Sequence, residues 1–300
     1  MNSDPATHAP MVDTHIHLWN LAHPSLRWGW LDTDEDHPVL GEIGPIKMRA
    51  FEMKHLHAES RFAGISGFVH VQAAIGSEDP VEETRWLTAM AADHPQLKAV
   101  IGHVDLGRAD TERVLDAHSE SPIFRGVRDF ALEPYLASGE VDRAFEESLD
   151  GLARRGLVLD ADCEHPNMLA LLAMAQRNPN LTIVLEHIGF PRRRDPEYAA
   201  AWRAEVAKLA AAPNVVCKIS GVAMTDQLFT AESLRPWVQH CLDAFGPERS
   251  MFGSNWPLDR MCSSYDVIMG LYRSYIADLS VADQQQVLAG TANRVYRLGE

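Results

Sequence analysis

The regular part of this 300-residue chain opens with Met11–His17, which reads MVDTHIH. A short apolar start followed by alternating polar residues is typical of a strand, whose side chains point alternately to two faces. On that pattern Asp13, His15 and His17 share one face, and the two imidazoles converge on one small volume. Such a pair can hold a divalent metal or polarise a carbonyl oxygen directly. The pattern alone leaves open an ordinary polar strand end whose histidines bond to nearby backbone.

Seven further apolar runs follow along the chain, and several are nearly continuous in Val, Ile, Leu or Phe, as in strands buried on both faces. They are Ile65–Ala74, Lys98–Leu106, Phe124–Phe130, Gly156–Asp162, Leu181–His187, Asn214–Ser220 and Arg249–Asn255. Segments with helical composition alternate with them, namely Ile46–Phe62, Val81–Asp93, Asp110–Ser119, Val141–Arg155, Asn167–Arg177, Tyr198–Ala211, Ala231–Phe245 and Val281–Leu298.

Eight strand–helix units at this spacing predict an α/β fold, specifically a single (β/α)8 TIM barrel. We expect one domain over residues 1–300, with residues 1–10 flexible and a long irregular loop, Leu21–Gly44, after the first strand. An open doubly wound sheet is the alternative. No Gly-rich phosphate-binding turn follows the first strand, so a dinucleotide or P-loop site has no support.

Composition limits the partners of the protein. The chain is 46% hydrophobic and 23% charged, as in globular proteins, and its formal charge of −15 disfavours nucleic-acid binding. No apolar run approaches the roughly 20 residues of a membrane span. The four cysteines show no CxxC spacing, which indicates reduced thiols in an intracellular protein. We expect a cytoplasmic protein with a small-molecule substrate, no nucleic acid and no membrane, and we leave a homo-oligomer open.

Polar residues mark the C-terminal ends of nearly all the predicted strands, where barrel enzymes place their active sites. They are His15, His17, His70, Gln72, His103, Asp105, Arg128, Asp160, Asp162, Glu164, Glu186, His187, Lys218, Ser220, Asn255 and Asp259. Burying so many polar groups without partners would cost on the order of several kcal/mol each. Pairing is the structural alternative for some of them, such as Lys218 with Asp160 or Asp162.

Four segments of the chain together resemble the amidohydrolase-related family of TIM-barrel hydrolases. They are DTHIHLW at 13–19, FRGVR at 124–128, LEHIGFP at 185–191 and MFGSNWPLD at 251–259. The resemblance runs from about Met11 to about Leu298, and it is closest to the branch that opens sugar lactones and dicarboxylate lactones. It implies a hydrolase that opens a small polar lactone, a cyclic ester, by attack of water at the carbonyl.

The resemblance also implies that His15, His17 and His187 point at the substrate carbonyl or at one metal ion. Related enzymes differ, since some bind a single divalent ion and others work without metal. Both states stay open here, with zinc or a similar ion as the metal in the first.

Family members usually carry Asp at the position of Asn255, where it takes a proton from the attacking water. An amide cannot accept that proton near neutral pH. Asp259, four residues later, is our preferred base and a predicted catalytic residue, alongside Asn255 itself. His187, or a carboxylate such as Asp162 or Glu164, is the second account. Loss of hydrolysis is the third.

Four residues are predicted to contact the substrate. Arg128 binds a carboxylate or hydroxyl groups through its planar fork, and Gln72 adds a polar contact. Asp162 and Trp256 complete the set, and Trp19 and Trp28 are further candidates for the mouth of the barrel.

Two other functions compete with the lactonase. One is a metal-dependent decarboxylase of a small unsaturated or aromatic acid on the same fold. The other is a non-catalytic barrel that binds a small ligand, for which Asn255 is the best support.

Overall fold

A computed structural model describes residues 9–34, 36–37 and 39–299. The flexible start predicted for residues 1–10 falls mostly on residues 1–8, which lie outside these ranges.

Eight parallel strands form the central sheet of the protein. The strands of the described chain are β1 (Met11–Ile16), β2 (Trp19–Asn20), β3 (Ala50–Phe51), β4 (Ile65–Val71), β5 (Leu97–His103), β6 (Phe124–Arg128), β7 (Val158–Ala161), β8 (Ile183–Leu185), β9 (Val215–Ile219) and β10 (Ser250–Phe252). The sheet runs in the order β1-β4-β5-β6-β7-β8-β9-β10, and β2 and β3 form a separate antiparallel pair. All eight predicted strands are therefore confirmed, and so is the predicted (β/α)8 barrel.

Helices surround this sheet. They are α1 (Met53–Ser60), α2 (Val81–Asp93), α3 (Thr111–Ser119), α4 (Leu132–Ser138), α5 (Arg143–Arg154), α6 (Met168–Arg177), α7 (Pro196–Leu209), α8 (Ala231–Phe245), α9 (Tyr265–Tyr275), α10 (Val281–Gln285) and α11 (Thr291–Tyr296). Sequence analysis missed α4 and α9. None of the helices in the described ranges combines the length and the apolar character needed to cross a membrane.

The barrel closes between the ends of β1 and β10. A parallel bridge joins Ile16 to Trp256. The amide of His17 donates to the Trp256 carbonyl at 2.8 Å, and the amide of Asn255 donates to the His15 carbonyl at 2.8 Å. Closure therefore places the two histidines of β1 directly beside the residues that follow β10.

The inside of the barrel has an apolar floor. Small and branched side chains from the strands pack there against the last helix, α11; they include Val12, Val69, Ala99, Ile101, Val158, Val184, Val216 and Met251. Tyr296 of α11 is fully buried against them and closes the bottom of the barrel. Polar groups inside the barrel therefore lie above a water-excluding base, near the C-terminal ends of the strands.

The helix predicted over Ile46–Phe62 is wrong in its first part, because α1 begins only at Met53. The residues before it pair with the segment that follows β1. The amide of Leu21 donates to the Arg49 carbonyl at 2.8 Å, and the rings of Trp19 and Phe51 lie 5.5 Å apart. This tertiary pairing and aromatic packing override the local helical composition.

Candidate active site

A bulge in β1 decides which of its side chains enter the barrel. The register of β1 against β4 shifts between Asp13 and Ile16. The Asp13 carboxylate accepts hydrogen bonds from the hydroxyl of Tyr265 in α9 at 2.7 Å and from the hydroxyl of Ser254 at 2.6 Å. The prediction that Asp13 shares a face with His15 and His17 is wrong, because the extra residue interrupts the alternation of faces.

The partners of His15 and His17 fix which ring nitrogen carries the proton. The Nδ1 atom of His17 lies 2.9 Å from the Val71 carbonyl oxygen, which can only accept, so Nδ1 carries the hydrogen. The Nδ1 atom of His15 lies 3.2 Å from the Glu186 carboxylate, which favours the same tautomer. Burial also holds the pKa values of both histidines well below the usual value, so both rings are neutral. Each ring therefore keeps a lone pair on Nε2.

These two lone pairs face one another. The Nε2 atoms of His15 and His17 lie 3.1 Å apart. Two acceptors at that distance repel unless a proton or a cation lies between them, and burial opposes the proton. His15, Glu186 and His187 also place one donor atom each within 4.8 Å of the others. Neutral imidazoles with one carboxylate form a donor set that binds zinc and similar ions, so these residues fit a divalent metal.

His187 follows β8 in a backbone of unusual conformation. His187, Ile188, Gly189 and Phe190 all have positive φ, at 51°, 52°, 75° and 45°. For the β-branched Ile188 this conformation is a genuine outlier, of the kind that clusters at functional sites. The indole of Trp202 donates to the Ile188 carbonyl at 2.9 Å and holds the turn.

The turn brings the His187 ring against β1 and β9. Its ring centre lies 4.5 Å from that of His15, and its Nδ1 atom lies 3.0 Å from the Ser220 hydroxyl. A Cβ atom at Gly221 would lie 2.5 Å from Nδ1, so only glycine lets the chain pass here. Burial lowers the pKa of His187 to about 4, so this ring is neutral as well.

Glu186 joins the histidines to the buried cations. One carboxylate oxygen contacts His15, and the other accepts from the Arg128 guanidinium at 3.1 Å. Lys218 lies 3.6 Å away. Burial alone would raise the pKa of Glu186, but Arg128, His15 and Lys218 outweigh it and hold that pKa well below its usual range. Glu186 is therefore ionised and orients the His15 ring.

A second buried ion pair lies nearer the floor. Lys218 of β9 contacts the Asp160 carboxylate of β7, and the hydroxyl of Tyr296 donates to the same carboxylate at 3.0 Å. The lysine and the aspartate are both fully buried. Of the two partners considered for Lys218, the structure selects Asp160.

A cavity of about 430 Å³ opens above these groups at the C-terminal ends of the strands. We call it the main cavity. The residues that line it are His17, Trp30, His37, Val39, Gln72, Ala73, Ile75, Arg128, Phe130, Glu133, Asp162, Glu164, His187, Phe190, Arg192, Met224, Asn255 and Leu258. The predicted residues His17, Gln72, Arg128, Asp162, His187 and Asn255 thus come together. His15 lies directly behind them, in contact with His17 and His187.

Asp162 is the carboxyl of the main cavity that is suited to proton transfer. Burial, reinforced by the negative charge of Glu186, raises the pKa of Asp162 to about 7. Glu164, the neighbouring candidate, is instead paired with Arg192. A carboxyl that titrates near neutral pH can take a proton from water and return it.

Asp259 does not line the main cavity. It is fully buried behind Asn255, whose amide nitrogen donates to one Asp259 oxygen at 2.9 Å. Burial and the nearby Asp13 raise the pKa of Asp259 to about 7, while the Asn255 amide lowers it. The sequence prediction that Asp259 is the base therefore gains no geometric support, because Asn255 lies between it and the cavity.

The tryptophans differ from their predicted positions. Trp256 is 1% exposed and turns outward, where its indole donates to Glu59 of α1 at 3.0 Å. The buried Trp19 and Trp28 also lie outside the cavity wall, and Trp30 takes that place. Trp256 was expected at the mouth from its place after β10, but the parallel bridge to Ile16 directs its side chain away.

Several functional groups were missed by sequence reasoning. Glu186 was named among the polar strand-end residues but was not included in the predicted site, although its position directly before His187 was a usable signal. His37, Phe130, Phe190, Met224 and Arg192 also line the cavity. They lie on loops, where no periodic pattern marks the direction of a side chain.

A closed barrel with paired histidines at the end of its first strand and a Glu–His pair after a later one defines a class of hydrolases with a buried polar centre. The sequence matches Amidohydro_2, described as amidohydrolase, over residues 12–298, and the chain belongs to this family. The resemblance predicted from the motifs is confirmed, and the protein is a hydrolase.

Three known proteins show how close the likeness is. The chain is 30% identical to L-fucono-1,5-lactonase of Burkholderia multivorans, over 96% of each chain. It is 25% identical to L-rhamnono-gamma-lactonase of Scheffersomyces stipitis, over 83% of this chain and 85% of that one. A crystal structure of a Burkholderia multivorans amidohydrolase with bound zinc has 28% identity and a TM-score of 0.82, covering 97% of this chain and 100% of the other.

Proposed function

We propose that this protein hydrolyses an uncharged sugar lactone in the main cavity. The observation that carries the proposal is the convergence of two imidazole lone pairs, 3.1 Å apart, beside a cavity that also holds Asp162. Relatives of similar length named as sugar lactonases support the substrate class.

His15, His17 and His187, with Glu186, would hold one divalent ion. Bound there, the ion would polarise the lactone carbonyl as a Lewis acid. The protein's own contribution is to keep all three rings neutral by burial and to fix the His15 ring through Glu186.

Asp162 acts as the general base. It takes a proton from the water that attacks the carbonyl carbon, and the ester C–O bond then breaks. The same carboxyl returns the proton to the departing ring oxygen, so the step balances. The opened product is a hydroxy acid. This assignment replaces Asp259 with the strand-end carboxylate that faces the main cavity.

The charges of the cavity favour an uncharged substrate. Two cations line it in the described chain, and each already has a carboxylate partner: Arg128 pairs with Glu186, and Arg192 pairs with Glu164. Glu133 and Asp162 add negative charge. A dicarboxylate would meet no uncompensated guanidinium in the described wall, and a decarboxylase substrate has the same difficulty. Arg128 is therefore assigned to hydroxyl or carbonyl oxygens.

Part of the cavity lining is apolar. It includes Trp30, Phe130, Phe190, Met224 and Leu258. Aromatic faces and aliphatic side chains pack well against the C–H face of a sugar ring. The cavity thus combines polar groups for the reacting atoms with apolar side chains for the rest of the ring.

The activity is tested with purified protein and a panel of lactones followed by a pH indicator. L-fucono-1,5-lactone, L-rhamnono-1,4-lactone and other aldonolactones form one arm, and unsaturated dicarboxylate lactones form the other. We expect turnover of at least one aldonolactone and none of the dicarboxylates. If every lactone opens no faster than in buffer, the proposal fails, and saturable binding without turnover would favour the binding barrel.

The pH dependence of kcat/KM should report Asp162. Because the base must be ionised, we expect kcat/KM to rise with pH and to reach half its maximum near pH 7. Asp162→Asn should remove this rise of kcat/KM with pH and lower kcat by about 100-fold or more, as expected for loss of a general base. Glu164→Gln is the matched comparison, because Glu164 lines the same wall but pairs with Arg192. Loss of activity in Glu164→Gln alone would move the base to Glu164.

Metal content is a separate prediction. Elemental analysis of the purified protein should find about one divalent ion per chain, with zinc the first candidate. The ion should be lost in the double variant His15→Ala/His17→Ala. His118→Ala is the control, since His118 is buried outside the site against Thr84. Full turnover in wild-type protein that contains no metal would contradict the metal assignment.

A further inference from the structure

The amide of Asn255 has a defined orientation. Its nitrogen, Nδ2, lies 2.9 Å from a carboxylate oxygen of Asp259 and 3.7 Å from the sulfur of Met224. An amide nitrogen carries two hydrogens, and these two acceptors use both of them. Asn255 lines the main cavity, so its side-chain carbonyl oxygen, Oδ1, is the atom that can accept a hydrogen bond from a group in the cavity.

The backbone of Asn255 is fixed as well. Its φ is 58°, a left-handed conformation that asparagine tolerates better than most residues. The backbone amide donates to the His15 carbonyl, and the backbone carbonyl accepts from Leu258 at 2.9 Å. The side chain therefore starts from a rigid point beside the histidines of β1.

Within the described chain, the Asp259 carboxylate forms no side-chain hydrogen bond other than the one with Asn255. It is fully buried, and no Lys, Arg or His of the described chain forms an ion pair with it. Its second oxygen has no hydrogen-bond partner within the described residues. A buried carboxyl without a counter-ion is costly, so it adds little to stability. Its one side-chain contact through a hydrogen bond leads to the cavity wall.

We propose that Asp259 is a positioning residue, which holds the Asn255 amide so that Oδ1 is a fixed hydrogen-bond acceptor in the main cavity. The chemical group it recognises is an O–H donor, either a substrate hydroxyl or the attacking water. The catalytic meaning of this acceptor rests on the proposed lactonase function, but the orientation of the amide does not.

Exchanging the two side chains tests this idea. Asp259→Asn alone allows the amide at 259 to donate, so Asn255 can rotate and present nitrogen to the cavity. Asn255→Asp alone sets two carboxylates side by side, and one of them must take a proton. The double variant Asn255→Asp/Asp259→Asn restores one donor and one acceptor between the positions and again presents oxygen to the cavity.

We therefore expect Asp259→Asn to lower kcat/KM by about tenfold, the size of one hydrogen bond, and the exchange to recover most of that loss. Because Asn255→Asp places a carboxylate where family members usually carry the base, that single variant is judged by Tm and ligand binding rather than by kcat. A rise in KM alone would assign the acceptor to a substrate hydroxyl, and a fall in kcat alone would assign it to water. Both outcomes support the fixed acceptor.

Two further measurements separate this inference from the lactonase proposal. Thermal unfolding should show a lower Tm in Asn255→Asp, where two carboxylates lie side by side, and a recovered Tm in the exchange. Calorimetric binding of L-fucose, an uncharged sugar, should be weaker in both single variants and recover in the exchange. These two measurements therefore test the interaction between Asn255 and Asp259 even if no lactone is opened.

Asp129→Asn provides the control. Asp129 is also buried, and its carboxylate accepts from the backbone amides of Leu106 and Ala131 away from the cavity wall. Combining it with Asn255→Asp should give no recovery. If the exchange variant recovers neither Tm, binding nor kcat/KM, the positioning role is overturned, and Asp259 is only a structural residue.

Discussion

Replacing Glu186 by glutamine is expected to lower kcat/KM by about 100-fold or more and to weaken metal binding by about 10- to 100-fold. The carboxylate fixes the His15 tautomer from one oxygen and compensates Arg128 from the other. Glutamine keeps the size but can offer a hydrogen to His15 Nδ1, which favours the wrong tautomer. Metal content and kcat/KM are measured on the same preparation.

A control is available outside the barrel. Glu146 is half-buried and pairs with Arg177, and it accepts from the Tyr135 hydroxyl at 2.7 Å. Glu146→Gln should change stability modestly and leave both metal content and kcat/KM unchanged. If Glu186→Gln keeps full metal content and full activity, the orienting role assigned to Glu186 is wrong.

Replacing Lys218 by methionine is expected to lower the free energy of unfolding by about 3–5 kcal/mol, the usual cost of breaking a buried ion pair. Lys218 and Asp160 are both fully buried, so the aspartate would keep a charge without a partner. Urea-induced unfolding, followed by circular dichroism, measures the difference.

A double variant separates the effect of the unpaired charge on stability from the effect of altered packing. In Lys218→Met/Asp160→Asn neither residue is charged, and the Tyr296 hydroxyl can still donate to the amide oxygen at 160. We expect this double variant to recover much of the lost stability. Arg143→Met, which breaks an exposed pair with Glu147, should change nothing measurable. A Lys218→Met protein as stable as wild type would show that the pair contributes little.

The strands were predictable because parallel barrel strands are buried on both faces and appear as short apolar runs. The helix α9 was also within reach, since Tyr265, Ile268, Met269 and Tyr272 are buried at helical spacing. The start of α1 was not, because Phe51 packs against Trp19 from a distant part of the chain. Local composition does not report such a contact.

The sequence by itself determined that eight strands would each end in polar residues, and that His15, His17, Arg128, Asp162, His187 and Asn255 would meet at one end of a barrel. Those positions follow from side-chain periodicity and from the parallel arrangement of the strands.

Only the tertiary structure decided what each group can do there. A bulge turned Asp13 outward, Glu186 and Val71 selected the free nitrogens of His15 and His17, and Asn255 screened Asp259 from the cavity. Protonation, tautomer and amide orientation depend on atoms that lie tens or hundreds of residues away in the chain. Local sequence patterns do not report contacts between residues that are so far apart in the chain.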